Sequence, residues 1–542
     1  MKQQRIYNVF LLLILLIAFA LRTINLGAIP KGLQSDEASF LINSVSIMET
    51  AKDEDDKFLP LYLSSLIDSK PALYSYLQIP FIKVSGATTA ASRFPSALIG
   101  TFSILLFYKL VLLIFKNQRI ALVSALMLAV SPWHIMNSRA TQEVILSFAL
   151  ILANLIAGHN LFYKKLSKKY LLLFLLTAVL AMYIYHAAKV VLVLFWLGLS
   201  FLAFFEKRKT KLEKKSLLKL AIIILFSFLI TAQAALTRFS AIGLINDDLP
   251  KALIFDYATN STGSTPLLVI RAFYNKPIMY FKYFLETYLA HFDLNYLFTS
   301  GGATRRFSVP LHGLFYMFEL LLIPLGIFSL LKKHSKQLLP WLLFLIISPI
   351  PAALTTEEIP SSIRAFTILI PLTIATALGF EWLLDNLGKK TKYIFVPIAL
   401  GILTWSVAFF VQQFFIIMPI KNTLYRSRSY EVVSEQIAQI QDQYDAVQFT
   451  SDLREMYIYL WQQDLITIEQ IQSKPMERYN QNYNLGKYYF SQVSCSFNNI
   501  QPNSLLVAPY NCAETLTKRY DEIGTADFDD ETPGFILLSN QF

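Results

Sequence analysis

The sequence predicts an α-helical polytopic membrane protein with about eleven transmembrane helices, followed by a small C-terminal α/β domain outside the membrane. Three observations predict it. Apolar runs long enough to cross a bilayer core of about 30 Å recur through the first three quarters of the 542 residues. Charged residues make up only 16% of the chain and hydrophobic ones 55%, where soluble domains average about 25% charged. Beyond residue 420 the pattern changes to short apolar runs in polar surroundings. The net charge of +11 is no sign of nucleic-acid binding here, because excess Lys and Arg in a membrane protein mark its cytoplasmic loops.

The chain opens on Lys2 and Arg5 and runs apolar to Leu26. Ala18-Phe19-Ala20 mimics a signal-peptidase site, but the run is long for a signal peptide, so an uncleaved signal anchor is expected. Further spans are expected near 93–115, 120–136, 144–163, 170–186, 190–205, 216–236, 312–331, 338–354, 363–385 and 393–418, the first lying near 7–27. Basic clusters fall at Lys2/Arg5, Lys116/Arg119, Lys164–Lys169, Glu206–Lys219, Lys332–Lys336 and Lys389–Lys392. Placing all of them inside gives one self-consistent topology with a cytoplasmic N-terminus at the cell membrane. Segment 71–86, "PALYSYLQIPFIKVSG", would invert Lys116/Arg119 if it crossed and is short at about 16 residues, so it reads as an interfacial helix.

The outer face then holds 28–92, 137–143, 186–189, 237–311, 355–362 and everything after Pro419. Two domains follow: 1–419 in the membrane, with outer loops 28–92 and 237–311, and 420–542 outside. In the latter, "YEVVSEQIAQIQDQY" has helical spacing. "DAVQFTS", "KYYFSQVSC", "NSLLVAPYN" and "GFILLSN" read as short strands. Cys495 and Cys512, the only cysteines, both lie there; a disulfide and two free thiols both remain open.

Several outer segments each supply polar groups. Asp36 and Glu37 stand together in "LQSDEASFLI". Asp68 and Lys70 lie in "DSKPALY", Arg139 and Glu143 in "NSRATQE", and Tyr183, Tyr185, His186 and Lys189 in "YIYHAAK". His291 and Asp293 lie in "HFDLNYLF", Arg305, Arg306 and His312 in "GGATRRFSVPLHG", and Arg364 in "SSIRAF". Carboxylates can take a proton from a hydroxyl or hold a metal. Arg and Lys can hold a phosphate. The set suits a reaction at a membrane surface in which a hydroxyl attacks and a phosphate leaves. Each item also has a plainer reading. Acids in a helix's first turn favour its dipole. Lys70 can snorkel, Arg139 and Glu143 can form an i, i+4 surface pair, and the tyrosines can anchor at the interface. His186 and His291 can be structural. No zinc spacing, P-loop or G-x-S-x-G elbow occurs, and the spans are nearly free of acids, which weighs against a transporter.

The ordered set "DEA", "KPALYSYL", "ASRFPSALIGTFSILLFYKL" and "SPWHIMNSRATQE" resembles the integral membrane glycosyltransferases of the GT-C fold that use lipid phosphosugars. The branch it is most similar to is that of dolichyl-phosphate-mannose–protein mannosyltransferase-like and aminoarabinose-transferase-like bacterial proteins. "GGATRRFSVPLHGLFYMFELLLIPLG" and "PIPAALTTEEIPSSIRAFTILIPL" look like the later core of one bacterial subgroup. The resemblance covers roughly residues 5–415 and rests on the order of the motifs. It implies an inverting transfer of a sugar from a polyprenyl-phosphate donor to a hydroxyl acceptor on protein, lipid or glycan. Asp36 takes the place of the family's essential acid, with Glu37 adjacent and Glu143 as the second acid. Lys70, in Lys70-Pro71-Ala72 where the family has K-P-P, matches a donor-phosphate ligand, and Arg364 resembles the late basic residue facing that phosphate. Arg139, Arg305 and Arg306 join the expected phosphate ligands, and Tyr185, His186, His291 and Asp293 the expected cavity. A divalent metal ion is the one cofactor left open. In the aminoarabinose branch an acid directly precedes the Lys, whereas Ser69 stands there here. Rival readings are a carrier or flippase for polyprenyl-linked sugars, a polymerase or ligase with a pyrophosphate donor, and a membrane scaffold.

Overall fold

The computed structural model describes residues 2–65, 68–163, 167–205, 219–232, 243–261, 265–302, 307–421, 428–453, 455–475, 478, 482–497, 500–528 and 531–540. By contacts the chain forms two units. The first comprises 1–22, 96–138 and 142–410; the second comprises 23–95, 139–141 and 411–542.

Among the described residues, seven helices are long and apolar enough to cross a membrane, and an eighth span is made if the Gln118–Val130 and Pro132–Ser138 helices count as one bent by 57°. The count of about eleven is therefore not reached. At the three remaining expected spans the described residues form shorter apolar helices, Lys168–Ile184, Lys219–Ala232 and Glu319–Lys332.

Within the first unit, small residues let helices approach. A Cβ on Gly326 would lie 1.8 Å from the Ala375 carbonyl oxygen, and one on Gly379 would lie 2.0 Å from that of Leu322. The Glu319–Lys332 and Leu369–Asn386 helices can therefore cross backbone to backbone. The bend at Pro132 leaves the carbonyls of the Gln118–Val130 helix without helical partners. Arg22, fully buried, donates to Ala129 O at 2.9 Å and lies 2.8 Å from His134 Nδ1. A cation at a helix C-terminus also complements its dipole.

The second unit contains a hairpin and a six-stranded sheet. The hairpin pairs β1 (Tyr62–Ser65) with β2 (Asp68–Pro71), Leu63 opposite Lys70. The sheet is built from β3 (Ala446–Phe449), β4 (Tyr483–Leu485), β5 (Tyr488–Phe490), β6 (Ser504–Pro509), β7 (Asp521–Asp527) and β8 (Pro533–Asn540), in the order β4-β5-β3-β6-β8-β7. Strand β3 runs parallel to β5 and β6, and the other pairs are antiparallel. The helix expected in "YEVVSEQIAQIQDQY" is Arg428–Ile440. The expected strands are β3, β5, β6 and β8; β4 and β7, short or mostly exposed, gave no apolar run. Cys495 and Cys512 form a disulfide, with Cα atoms 5.1 Å apart.

One core joins this sheet to segment 28–92. Leu33, Ala38, Leu41, Ile42 and Val45 of the loop pack with Val433, Ile437, Met456, Leu505 and Leu537. Polar groups reinforce the joint. Tyr457 donates to Glu54 at 2.6 Å, and Arg478 donates to Asp55 at 2.6 Å and to the Glu54 carbonyl at 2.9 Å. Gln472 donates to Ser46, Thr50 and the Asp53 carbonyl. The expected 420–542 domain thus shares its core with loop 28–92.

Candidate active site

The acidic pair heads the Ser35–Thr50 helix, where both charges favour the dipole. Successive helical positions lie about 100° apart, so the two side chains diverge. Glu37 turns inward and is fully buried. Its Oε1 accepts from Arg93 Nε at 2.9 Å and from the Thr141 backbone N–H at 2.8 Å. Its Oε2 accepts from Arg93 Nη2 and from the Gln34 backbone N–H, each at 3.1 Å. Asp36 turns outward, its side chain 49% exposed, and pairs with the Lys70 ammonium. Lys70 reaches it from strand β2, itself nearly buried and 5.7 Å over the Phe40 ring.

Two arginines lie beneath this pair's helix cap. Arg93 donates to the carbonyls of Leu26, Pro30 and Gly32 at 3.2, 2.8 and 2.7 Å. Arg139 donates to those of Ile24 and Ile29 at 2.7 and 2.8 Å, and its guanidinium stacks 4.6 Å from the Phe415 ring. Segment 24–32, which has little regular structure to satisfy its carbonyls, is held by these cations instead. Burial, and then the charge of Arg93, pushes the Arg139 pKa down to about 9, so it stays charged at neutral pH. Arg139 and Glu143 are not on one helix: the chain leaves helical structure between Ser138 and Glu143.

The other expected residues belong to the first unit. Glu143 is half-buried at the start of the Glu143–Tyr163 helix. Tyr185 ends one helix and His186 begins the next, its Nδ1 3.1 Å from the Lys189 ammonium. His291 is fully buried. Its Nδ1 faces the Thr287 carbonyl at 2.8 Å, and its Nε2 accepts from the Ser361 N–H at 3.0 Å. Both contacts fit the neutral ring, and burial pushes its pKa down to about 4. Asp293 is exposed and accepts from the Asn295 N–H at 2.7 Å. Arg364 is mostly buried and donates to Glu357 at 3.4 Å. Among the described residues its Nε and Nη2 have no hydrogen-bond partner. Arg305 and Arg306 lie outside the described residues.

Sequence reasoning missed Arg93 and Arg22. The signal was available: each is a cation inside an otherwise apolar run, "ASRFPS" and "FALRTI", where a charge needs a built partner. Among the described residues no three His, Cys, Asp or Glu side chains converge as a metal site.

Residues 69–232 match the family model described as dolichyl-phosphate-mannose-protein mannosyltransferase. The fold matches the crystal structure of ArnT from Cupriavidus metallidurans bound to undecaprenyl phosphate, with a TM-score of 0.54 at 12% identity over 98% of this chain and 97% of that one. The archaeal oligosaccharyltransferase AglB from Archaeoglobus fulgidus, in complex with an inhibitory peptide and a dolichol-phosphate, matches at a TM-score of 0.47 and 13% identity over 96% of this chain and 73% of that one. No curated protein sequence matches the chain.

Proposed function

We propose that this GT-C-type membrane glycosyltransferase moves one sugar from a polyprenyl-phosphate donor to a hydroxyl acceptor on protein, lipid or glycan, at the outer face of the cell membrane. The N-terminus is cytoplasmic and the C-terminal residues are extracytoplasmic in this reading, which the disulfide supports, since such bonds persist in oxidising compartments. The observation that carries the reading is the Asp36–Lys70 pair: a half-exposed carboxylate joined to a nearly buried ammonium at the head of the first loop's helix. It unites a proton acceptor with a phosphate ligand.

The chemistry follows. Asp36 takes the proton of the acceptor hydroxyl. The oxygen forms a bond to the anomeric carbon as the bond from that carbon to the phosphate oxygen breaks, and the electron pair leaves on polyprenyl phosphate. One displacement inverts the anomeric centre. Lys70 neutralises the departing phosphate by exchanging Asp36 for it, and Arg364, whose Nε and Nη2 have no hydrogen-bond partner among the described residues, is a second cation of the kind a phosphate takes. The similar ArnT structure is bound to undecaprenyl phosphate, an anion of the class these cations suit. Glu37 and Arg139 hold the loop that presents Asp36. Glu143, Tyr185, His186 and Asp293 contribute to substrate contacts, and His291 fixes the backbone at Ser361.

The test is donor turnover. The purified protein is offered a panel of polyprenyl-phosphate sugars with membrane extract as acceptor source, and release of polyprenyl phosphate is followed for wild type and Asp36→Asn. Release by the wild type alone supports the transfer and the base. Equal release by both removes Asp36 from its role, and binding without release points to a carrier.

A further inference from the structure

We propose that the extramembrane sheet carries a binding subsite for one ring of a neutral glycan, on the face of the β4-β5-β3 edge opposite the shared core. The two faces of this edge differ in kind. Val447, Phe449, Tyr483, Leu485, Tyr488 and Phe490 all enter the core shared with loop 28–92. On the alternate positions the register sets Asn484 beside Tyr489 and Tyr489 beside Gln448. Side chains on a strand alternate between faces, so an amide, a phenol ring and a second amide stand in a row across three strands. The same face of β6 and β8 carries Leu506, Ala508, Ile536 and Leu538, covered by Cys512 and Leu516. The cover ends before β3, and a cleft of about 230 Å³ opens there. Phe497 and Gln501 close its side, on the segment that the Cys495–Cys512 disulfide ties down.

The chemistry of the cleft selects its ligand. Among the described residues its lining holds amides, a serine and aromatic rings and no charged side chain, which leaves a phosphate or carboxylate without a counter-ion. Asn and Gln both donate and accept, matching hydroxyls that do the same. An aromatic ring offers an apolar face edged with polarity, and the C–H face of a sugar ring is its counterpart. Gln448 is only 4% exposed as a residue yet lines the cleft, so an otherwise buried side chain brings to it an amide that can both donate and accept. The volume suits a single ring rather than the 300–1,000 Å³ typical of drug-sized ligands.

This subsite takes its meaning from the transferase reading, as a holder of the acceptor or product glycan, but its test uses no donor and succeeds or fails apart from that reading. The purified full chain in detergent is titrated with cellotetraose, mannotetraose, maltotetraose and chitotetraose, observed by saturation-transfer NMR. Saturable binding of at least one is expected, weakened roughly tenfold in Gln448→Leu and Tyr489→Ala, the effect of one or two lost hydrogen bonds. Asn484→Ala, on the exposed edge strand, gives the same reading if either core-adjacent variant fails to fold. Binding by none of the four, or equal binding by wild type and all folded variants, overturns the proposal.

Discussion

Glu37 and Arg93 form a fully buried pair in which the carboxylate is gripped twice, at 2.9 and 3.1 Å. The remaining three guanidinium hydrogens of Arg93 reach Leu26, Pro30 and Gly32. All five donors of the side chain are therefore used. The neighbouring acid, Asp36, pairs with Lys70 and has a half-exposed side chain. The first loop thus separates two roles that the dipeptide Asp36-Glu37 places side by side: one acid fixes the loop and the other faces outward.

Removing one partner of the buried pair should be severe. Arg93→Ala or Glu37→Ala leaves a charge buried without its counter-ion, costing about 3–5 kcal/mol. Arg93→Lys should recover little of this, because three donors on a point charge cannot reproduce a five-donor fork. Thermal unfolding in detergent checks both. A lysine variant as stable as wild type would mean that the carbonyls of 24–32 need no fork.

Asp36 and the cations should behave oppositely to that pair, affecting rate far more than stability. Asp36→Asn should lower turnover by about 10²–10⁴, while unfolding shifts less than in the Arg93 and Glu37 variants, because Asp36 itself is half-exposed. Lys70→Met and Arg364→Met each lose a charge-assisted contact worth about 1.5–3 kcal/mol, or roughly ten- to a hundredfold in rate. If Arg364 acts on the phosphate, its loss should also weaken inhibition by added polyprenyl phosphate. Unchanged inhibition would show that its effect runs through Glu357 and the local backbone.

Much of this was legible in the sequence for identifiable reasons. The membrane architecture was, because lipid exposure forces long apolar runs; the number of crossings was not, because an apolar run does not fix the helix within it, and Glu319–Lys332, at the expected span 312–331, has only 14 residues. Asp36 and Lys70 were legible as candidates through the order of motifs, yet nothing linear said that the hairpin β1–β2 would carry Lys70 to Asp36. Glu37 was legible only as a second candidate acid beside Asp36; the inward turn of the helix and Arg93, 56 residues away in sequence, give it its structural role. The sharing of one core by loop 28–92 and the C-terminal sheet was invisible for the same reason: its contacts, such as Tyr457 to Glu54, span about 400 residues.

The disulfide should matter locally. Cys495 and Cys512 are separated by 17 residues, and closing a loop of that length contributes about 3 kcal/mol. Cys495→Ser should lower the unfolding midpoint in non-reducing buffer, and reductant should lower the wild type toward the same value without moving the variant. A wild type indifferent to reductant would argue that the bond adds nothing to the sheet.

Asp55 gives the second unit a pH dependence whose sign can be stated. Burial pushes its carboxyl up to about 7 from an ordinary value near 4, against the pull of Arg478 and with Glu54 and Asp53 adding repulsion. Burial together with these two acids outweighs Arg478 and Lys57 and favours the protonated form. Between about pH 4 and pH 7 the unfolded chain has released this proton while the native chain still holds it. Native stability from Asp55 is therefore fully present below pH 4, declines as pH rises, and is level above about 7. Asp55→Asn, which keeps the shape and cannot ionise, should flatten the slope of unfolding midpoint against pH across that window and leave Tyr457–Glu54 in place. A variant that tracks the wild-type slope from pH 4.5 to 8 would assign the dependence to another group and leave Asp55 ionised against Arg478.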